Sequence, residues 1–175
     1  MKIALIALLY NGVWAASVLG GAEGLSWPGA ASGVVLLGIV AAMRGGVDRR
    51  WLLLILGAGL FGFAADGALA AAGVLEFTGA QGAWPLPLWM PALWATFAGC
   101  IPVIFRFLEG RLALSAVIAG VAGPVTYAGA ARLGAVEPMD TLAVALVALE
   151  WAIFLPLAVA WAFGRPARGA QPAAR

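Results

Sequence analysis

Among the side chains that can ionise, Asp66, Tyr127, Arg132 and Glu150 stand inside or at the edge of long apolar stretches of this sequence. A charged group at the centre of a bilayer costs about 2.5–3.5 kcal/mol on insertion scales, so each needs a structural or chemical reason. A carboxyl beside a guanidinium can hold an anionic headgroup or fix the packing of two helices, whereas an isolated carboxyl suits proton transfer. The chemistry open to these residues therefore depends on the elements that position them.

The composition is that of a membrane protein. Of the 175 residues, 64% are hydrophobic and 10% are charged, whereas about a quarter of the residues in soluble domains are charged. The formal net charge of +2 is too small to indicate nucleic acid as a partner. Histidine is absent and Cys100 is the single cysteine, so the sequence indicates no metal site, no cofactor site and no intrachain disulfide.

Apolar segments recur six times, at residues 2–21, 28–43, 51–75, 89–108, 112–133 and 141–163. Most contain about 20 residues, which at about 1.5 Å each span a hydrocarbon core of about 30 Å. We therefore predict an all-α membrane protein, a six-transmembrane-helix bundle that residues 1–163 form as a single domain. Residues 164–175 are rich in Pro, Gly, Ala and Arg, and they predict a disordered basic cytoplasmic tail.

The charges predict the orientation of this bundle. With both termini cytoplasmic, nine of the ten basic residues lie on the inner side: Lys2, Arg44, Arg49, Arg50, Arg106, Arg111, Arg165, Arg168 and Arg175. Arg132 is left near the outer face, where the links carry Glu23, Glu76, Glu137 and Asp140. Because lysine and arginine accumulate on the cytoplasmic side of membrane proteins, the pattern predicts a multi-pass protein with cytoplasmic termini.

Asp66 and Arg132 are expected at the same depth. Asp66 lies about fifteen residues from the inner end of its segment and Arg132 about twenty, so both fall toward the outer side. An ion pair between them would offset much of both insertion costs. Two interpretations stay open: the pair anchors an anionic headgroup or carboxylate, or it is a structural pair that fixes the register of two helices.

Small residues at i, i+4 spacing predict how the segments pack. Ala58/Gly62 in the third segment and Ala119/Gly123 in the fifth let helices approach closely. We expect these two segments to touch and the fifth to be central. Tyr127 lies about 140° around the helix from the arginine five positions later, so we expect Tyr127 to be the one that points into the interior.

Glu150 falls near the middle of the sixth segment without a charged neighbour on its own helix. We expect it to be uncharged, since desolvation disfavours the carboxylate. Two roles stay open for Glu150. It serves in proton transfer, as part of a relay or as a general acid, or it is a protonated side chain that bonds to Asn11 or to a freed backbone carbonyl. Pro124 and Pro156 each remove one helical hydrogen bond and can free such carbonyls.

The sequence resembles a family of small bacterial inner-membrane proteins catalogued as domain of unknown function 2878. The resemblance covers residues 11–157 and is carried most by GPVTYAGAARLGA at 123–135, with further matches at Asn11, Trp14, Asp66, LWMPALWATFA (88–98), Trp151 and Pro156. Members often carry histidines in their inner loops, which this chain lacks. The family has no established biochemistry. Its members are frequently encoded near cyclopropane-fatty-acid-synthase-like methyltransferases and other lipid-modifying proteins, which implies a lipid-related setting in the inner membrane.

Three functions stay open. The first is a lipid-binding or accessory protein that serves a lipid-modifying enzyme, with a ligand at Asn11, Asp66, Tyr127, Arg132 and Glu150. The second is an intramembrane enzyme with Glu150 as general acid or base, although no catalytic residue is assigned. The third is a small transporter with helices broken at its prolines. The Gly/Ala-rich outer faces of the second and third segments also predict a homodimer.

The topology is tested with reporter fusions after Val47, after Gly82, after Glu137 and at the C-terminus. We expect cytoplasmic signals at Val47 and at the C-terminus, and periplasmic signals at Gly82 and Glu137, because the basic residues flank the former positions. A periplasmic signal at Val47 or at the C-terminus would contradict the predicted orientation.

Overall fold

The computed structural model describes residues 2–80 and 86–164, and these ranges are helical with short connections. The helices are α1 (Lys2–Ala22), α2 (Trp27–Arg44), α3 (Arg49–Ala71), α4 (Trp89–Ile104), α5 (Leu112–Arg132) and α6 (Thr141–Phe163), and a short 3-10 helix (Arg106–Leu108) follows α4. The all-α prediction is confirmed for the described residues. Of the predicted basic tail at residues 164–175, only Gly164 lies within the described residues.

Five of these helices are long and apolar enough to cross a membrane, so the chain has the architecture of a multi-pass membrane protein. α4 has 16 residues and is shorter than the other five. Its length of about 24 Å is less than the hydrocarbon core of about 30 Å. Six crossings and cytoplasmic termini therefore stay predictions.

Most helix bounds lie within a residue or two of the predicted segments, but α3 and α4 end early. The third segment was expected to extend to residue 75, whereas α3 ends at Ala71. The N–H of Val74 turns back to the carbonyl of Leu69 (2.9 Å) and closes the helix there. The fourth segment divides at Phe105 into α4 and the 3-10 helix.

α4 lies at the centre of the bundle and packs against α1, α2, α3 and α6. Ten of its 16 residues are buried, against five of the 21 in α5. α5 packs mainly against α6 and not along α3. The prediction that the fifth segment is central is therefore wrong. The buried residues of α5 form one narrow stripe, which can contact one neighbouring helix, whereas α4 is buried on several faces.

Glycines of the small-residue pairs accommodate indole rings instead of a facing helix backbone. A Cβ atom at Gly62 would collide with the ring of Trp94 on α4, and one at Gly123 would collide with the ring of Trp151 on α6. The two rings stack with centroids 4.4 Å apart and planes inclined by 27°. The glycines thus permit an aromatic stack, and the third and fifth segments do not pack against each other through these small-residue pairs.

Pro124 and Pro156 do not break their helices. α5 is continuous from Leu112 to Arg132, and α6 is continuous from Thr141 to Phe163. A proline inside a helix removes one hydrogen bond and can kink the helix without ending it. The broken helices expected for a transporter are therefore not found in α5 or α6.

Aspartate side chains cap α3 and α6. Asp48 accepts a hydrogen bond from the N–H of Trp51 (2.9 Å), and Asp140 accepts one from the N–H of Ala143 (2.8 Å). Asp48 also forms an ion pair with Arg44 (2.6 Å). The Trp51 N–H bond, and after it the Arg44 guanidinium, hold the pKa of Asp48 below its ordinary value. We call this end of the bundle, which carries Arg44, Arg49 and Arg50, the arginine end.

The links at the opposite end of the bundle are joined to each other. The N–H of Glu137 donates to the carbonyl of Glu76 (2.8 Å), and the hydroxyl of Thr78 donates to the carbonyl of Gly134 (2.6 Å). The first link follows α3 and the second follows α5. These bonds hold the ends of α3 and α5 on the same side of the bundle, although the helices do not pack along each other.

The aromatic stack predicts that Gly62→Ala destabilises the protein while Gly57→Ala does not. The added methyl group overpacks the Trp94 ring, which costs about 1–3 kcal/mol of unfolding free energy. Gly57 lies on the same helix, and a Cβ atom added there would meet open space, so its substitution is neutral or stabilising by helix propensity. Thermal unfolding in detergent measures both, and equal melting temperatures would contradict the packing described.

Candidate functional site

Asp66 on α3 is fully buried, and its carboxyl group is the acceptor of two hydrogen bonds. The indole N–H of Trp94 on α4 donates to Oδ2 (2.7 Å), and the hydroxyl of Tyr127 on α5 donates to Oδ1 (2.5 Å). A buried carboxyl without partners is costly, so these two donors are what permits the residue at this position. The contact also joins three helices, including α3 and α5.

Arg132 is not part of this group. It is exposed in the last turn of α5, and the only ion pair within residues 2–80 and 86–164 is that of Arg44 with Asp48. The predicted Asp66–Arg132 pair is therefore wrong. Tyr127 points into the bundle and reaches the carboxyl, and Arg132 lies on another face of the same helix. At a helix end a long arginine side chain can extend to the polar boundary without an acidic partner.

Trp94 is the residue of the site that sequence reasoning missed. It belongs to the stretch 88–98 that carries part of the family resemblance, but no local pattern there indicates that its indole N–H faces a carboxyl. Its ring lies in an aromatic cluster, stacked on Trp151 and edge-on to Phe154 at 4.7 Å. Phe61 and Phe97 extend the cluster. Such packing fixes the direction of the Trp94 N–H.

Glu150 on α6 has no hydrogen-bond partner among the described residues. Its side chain is 8% exposed, and both carboxyl oxygens are buried. The predicted bond to Asn11 is wrong, because the Asn11 amide donates to the carbonyl of Ala7 (2.8 Å) on its own helix. A bond to a freed backbone carbonyl is likewise not formed. Unsatisfied buried polar groups are rare in native proteins and call for an explanation.

The two carboxyls and the phenol belong to one polar centre. Glu150 lies close enough to Asp66 for the two carboxyls to interact electrostatically, and Tyr127 interacts with both. Of the predicted site residues, the structure brings together Asp66, Tyr127 and Glu150. Among the described residues no group of three His, Cys, Asp or Glu side chains could hold a metal ion.

A cleft of about 320 Å³ opens between α1 and α5. α1 and α5 do not pack along each other, and α4 and α6 form its floor. The rim residues Asn11, Ala122 and Val125 are exposed, whereas Phe97 and Leu155 on the floor are buried. Four further aromatic residues line the cleft: Tyr10, Trp14, Phe105 and Trp151. Asn11 thus lies at the cleft and apart from Glu150.

A smaller recess leads from this cleft toward the polar centre. It measures about 30 Å³, which is large enough for a water molecule. Tyr10, Trp14, Phe97, Thr126 and Trp151 line both spaces, and the recess alone reaches Trp94 and Tyr127. The arrangement therefore combines a lateral apolar cleft with a small space beside the donors that bind Asp66.

The Asp66 contact predicts energetic coupling between Asp66 and Tyr127 and none between Asp66 and Arg132. Tyr127→Phe removes one of two donors to a buried carboxyl and lowers the free energy of unfolding by about 1–2 kcal/mol. The double variant Asp66→Asn/Tyr127→Phe loses less unfolding free energy than the sum of the losses in the two single variants, since both single changes remove the same hydrogen bond. Unfolding in detergent of the single and double variants measures this coupling.

Arg132→Gln is the control for this cycle. Because Arg132 is exposed, Arg132→Gln changes the free energy of unfolding by no more than about 0.5 kcal/mol. This change is additive with that of Asp66→Asn. Coupling of Asp66 to Arg132 that equals its coupling to Tyr127 would contradict the described geometry.

The family resemblance is confirmed by comparison with known proteins. The family described as "Protein of unknown function (DUF2878)" matches residues 3–157. No curated protein and no solved structure matches the chain. The match extends from α1 to within α6 and includes every residue of the polar centre and of the cleft. The chain belongs to the DUF2878 family.

Proposed function

We propose that this protein binds a membrane lipid, with a lipid chain in the cleft between α1 and α5. The observation that carries the proposal is the cleft itself. Its volume of about 320 Å³ lies at the lower end of the range of about 300–1,000 Å³ found for ligand sites. It opens on the flank of a bundle of apolar helices, where the surrounding medium is lipid.

The walls of the cleft suit an apolar chain. Buried Phe97 and Leu155 on the floor and buried Ala119 on α5 offer contacts to a chain that enters past the exposed rim. Between lipid and protein the gain comes from close packing, since a lipid tail is as apolar outside the cleft as inside it. The rigid aromatic side chains that line the cleft favour such packing because they lose little conformational entropy when a ligand binds.

The recess supports a polar group at one end of the ligand. The hydroxyl of Tyr127 donates to Asp66, so the lone pairs of its oxygen remain to accept a hydrogen bond. Thr126, which also lines the recess, donates to the carbonyl of Ala122 (2.8 Å). A lipid whose polar group donates hydrogen bonds can therefore bond to the Tyr127 oxygen.

The wider setting belongs to the same proposal. We place the protein in the cell inner membrane as an accessory to a lipid-modifying enzyme, as the family resemblance implies. A homodimer is also proposed, and exposed Val34, Val35 and Ile39 on α2 are candidates for its contact. Native mass spectrometry in mild detergent tests the dimer, and a monomer at all protein concentrations would exclude it.

Intramembrane catalysis is the second candidate, and one observation favours it. Both oxygens of Glu150 are buried without a partner near a second carboxyl, which suits a group that takes up or releases a proton. The side chain of Glu150 does not line the cleft, whereas that of its neighbour Trp151 does. Lipid binding is therefore the better-supported function.

Blocking the cleft tests the proposed function. Ala122→Phe fills the rim, and we expect the purified protein to retain about tenfold less of its enriched lipid, which corresponds to about 1.4 kcal/mol of lost packing. Ala128→Phe is the matched control, because Ala128 is an exposed alanine of α5 outside the cleft. Quantitative lipid mass spectrometry of the purified variants measures retention, and equal retention would contradict lipid binding in the cleft.

Glu150→Gln separates the two candidates in the same experiment. For a binding protein it leaves the lipid composition of the cell membrane unchanged, whereas for an enzyme it causes the substrate lipid to accumulate.

A further inference from the structure

A second groove follows the seam between α3 and α6 and shares no lining residue with the cleft between α1 and α5. It measures about 390 Å³ and is apolar, with Leu53 and Phe61 from α3 and Phe154 and Leu157 from α6 among its walls. Gly57 leaves open space on its α3 side. The exposed side chains of Leu53 and Leu157 place the groove on the outer flank of the bundle.

At the arginine end this groove continues into a basic recess of about 380 Å³. Arg49, Arg50, Leu53 and Trp161 line the recess, and Leu53 and Trp161 also line the apolar groove. The two spaces are therefore one continuous site with a cationic end and an apolar end. From Arg49 to Phe61 it follows α3 for about 18 Å, close to the roughly 15 Å thickness of one leaflet's hydrocarbon.

Arg50 is fixed at the mouth of the groove by Trp161. One guanidinium N–H donates to the Trp161 carbonyl, and the Trp161 indole N–H donates to the Arg50 carbonyl (3.1 Å). The guanidinium carbon also lies 5.8 Å from the centre of the Trp161 ring. A guanidinium has five N–H donors, so most of those of Arg50 remain for a ligand.

Neither Arg49 nor Arg50 has an acidic partner within the ranges that the structure describes. The nearest acidic residue in the sequence, Asp48, is already occupied by Arg44 (2.6 Å) and by the N–H of Trp51 (2.9 Å). Arg49 is exposed and forms no ion pair with a described residue. The recess thus presents two guanidinium groups without a counterion from these residues.

We propose that this seam binds an anionic phospholipid, with its phosphate at Arg49 and Arg50 and one acyl chain in the groove along α3 and α6. Guanidinium groups bind phosphate oxygens through paired N–H donors. Basic pockets between membrane helices recognise anionic headgroups, and tryptophan side chains favour the headgroup level. The charge of the recess, the apolar character of the groove and their continuity all match this one ligand.

Native mass spectrometry of the full chain in detergent tests the site, with titrations of phosphatidylglycerol and of phosphatidylcholine. We expect phosphatidylglycerol to bind roughly 25-fold tighter, because each arginine near the surface contributes about fivefold. Arg49→Gln lowers this preference about fivefold, and Arg49→Lys retains part of it. Arg106→Gln, an exposed arginine near the same end but outside the groove, leaves the preference unchanged.

Gly57→Phe tests the chain-binding half, since it fills open space in the groove and weakens the binding of both lipids at this site. Glycerol phosphate, which has the anion but no chains, does not compete at the same concentration. The proposal is overturned if the two lipids bind equally, if Arg49→Gln and Arg106→Gln cause equal losses, or if glycerol phosphate competes as well as the lipid. Unchanged melting temperatures of the variants show that each remains folded. Ala122→Phe leaves the seam intact, so this test is independent of the cleft.

Discussion

The carboxyl group of Asp66 is the acceptor on which helices α3, α4 and α5 converge. Its side chain is fully buried in a bundle of apolar helices, and the donors at its two oxygens are the neutral groups of Trp94 and Tyr127. Neither donor can leave without exposing the carboxyl to an environment that cannot satisfy it. The contact therefore fixes α5 relative to α3, although these helices do not pack along each other.

Two glycines and an aromatic stack in the interior hold the Trp94 ring in place. Gly62 provides the space that the ring occupies on α3, and the stack with Trp151 transfers the constraint to α6. Gly123 provides the corresponding space behind Trp151 on α5. Because Trp151 also lines the cleft between α1 and α5, the polar centre and the proposed lipid site share a rigid aromatic element.

The two grooves of the molecule differ in polarity as well as in position. The cleft between α1 and α5 leads to donors and acceptors inside the bundle, whereas the seam between α3 and α6 leads to guanidinium groups at the arginine end. Glu150 remains a buried carboxyl without a hydrogen-bond partner in the described part of the chain. The two proposed lipid sites are therefore chemically distinct, and the seam is the one suited to an anion.

The sequence by itself determined the membrane class, the bounds of most helices, the family and the inward direction of Tyr127. These properties depend on the length of apolar runs and on the helical period, which are local. The tertiary structure alone decided the partners of Asp66, because its donors lie 28 and 61 residues away in the chain. Matching depths favoured Arg132 as the partner, but depth does not specify which face of a helix a side chain occupies. The central place of α4, the unpartnered state of Glu150 and both grooves likewise arise from contacts between distant segments, which no local pattern encodes.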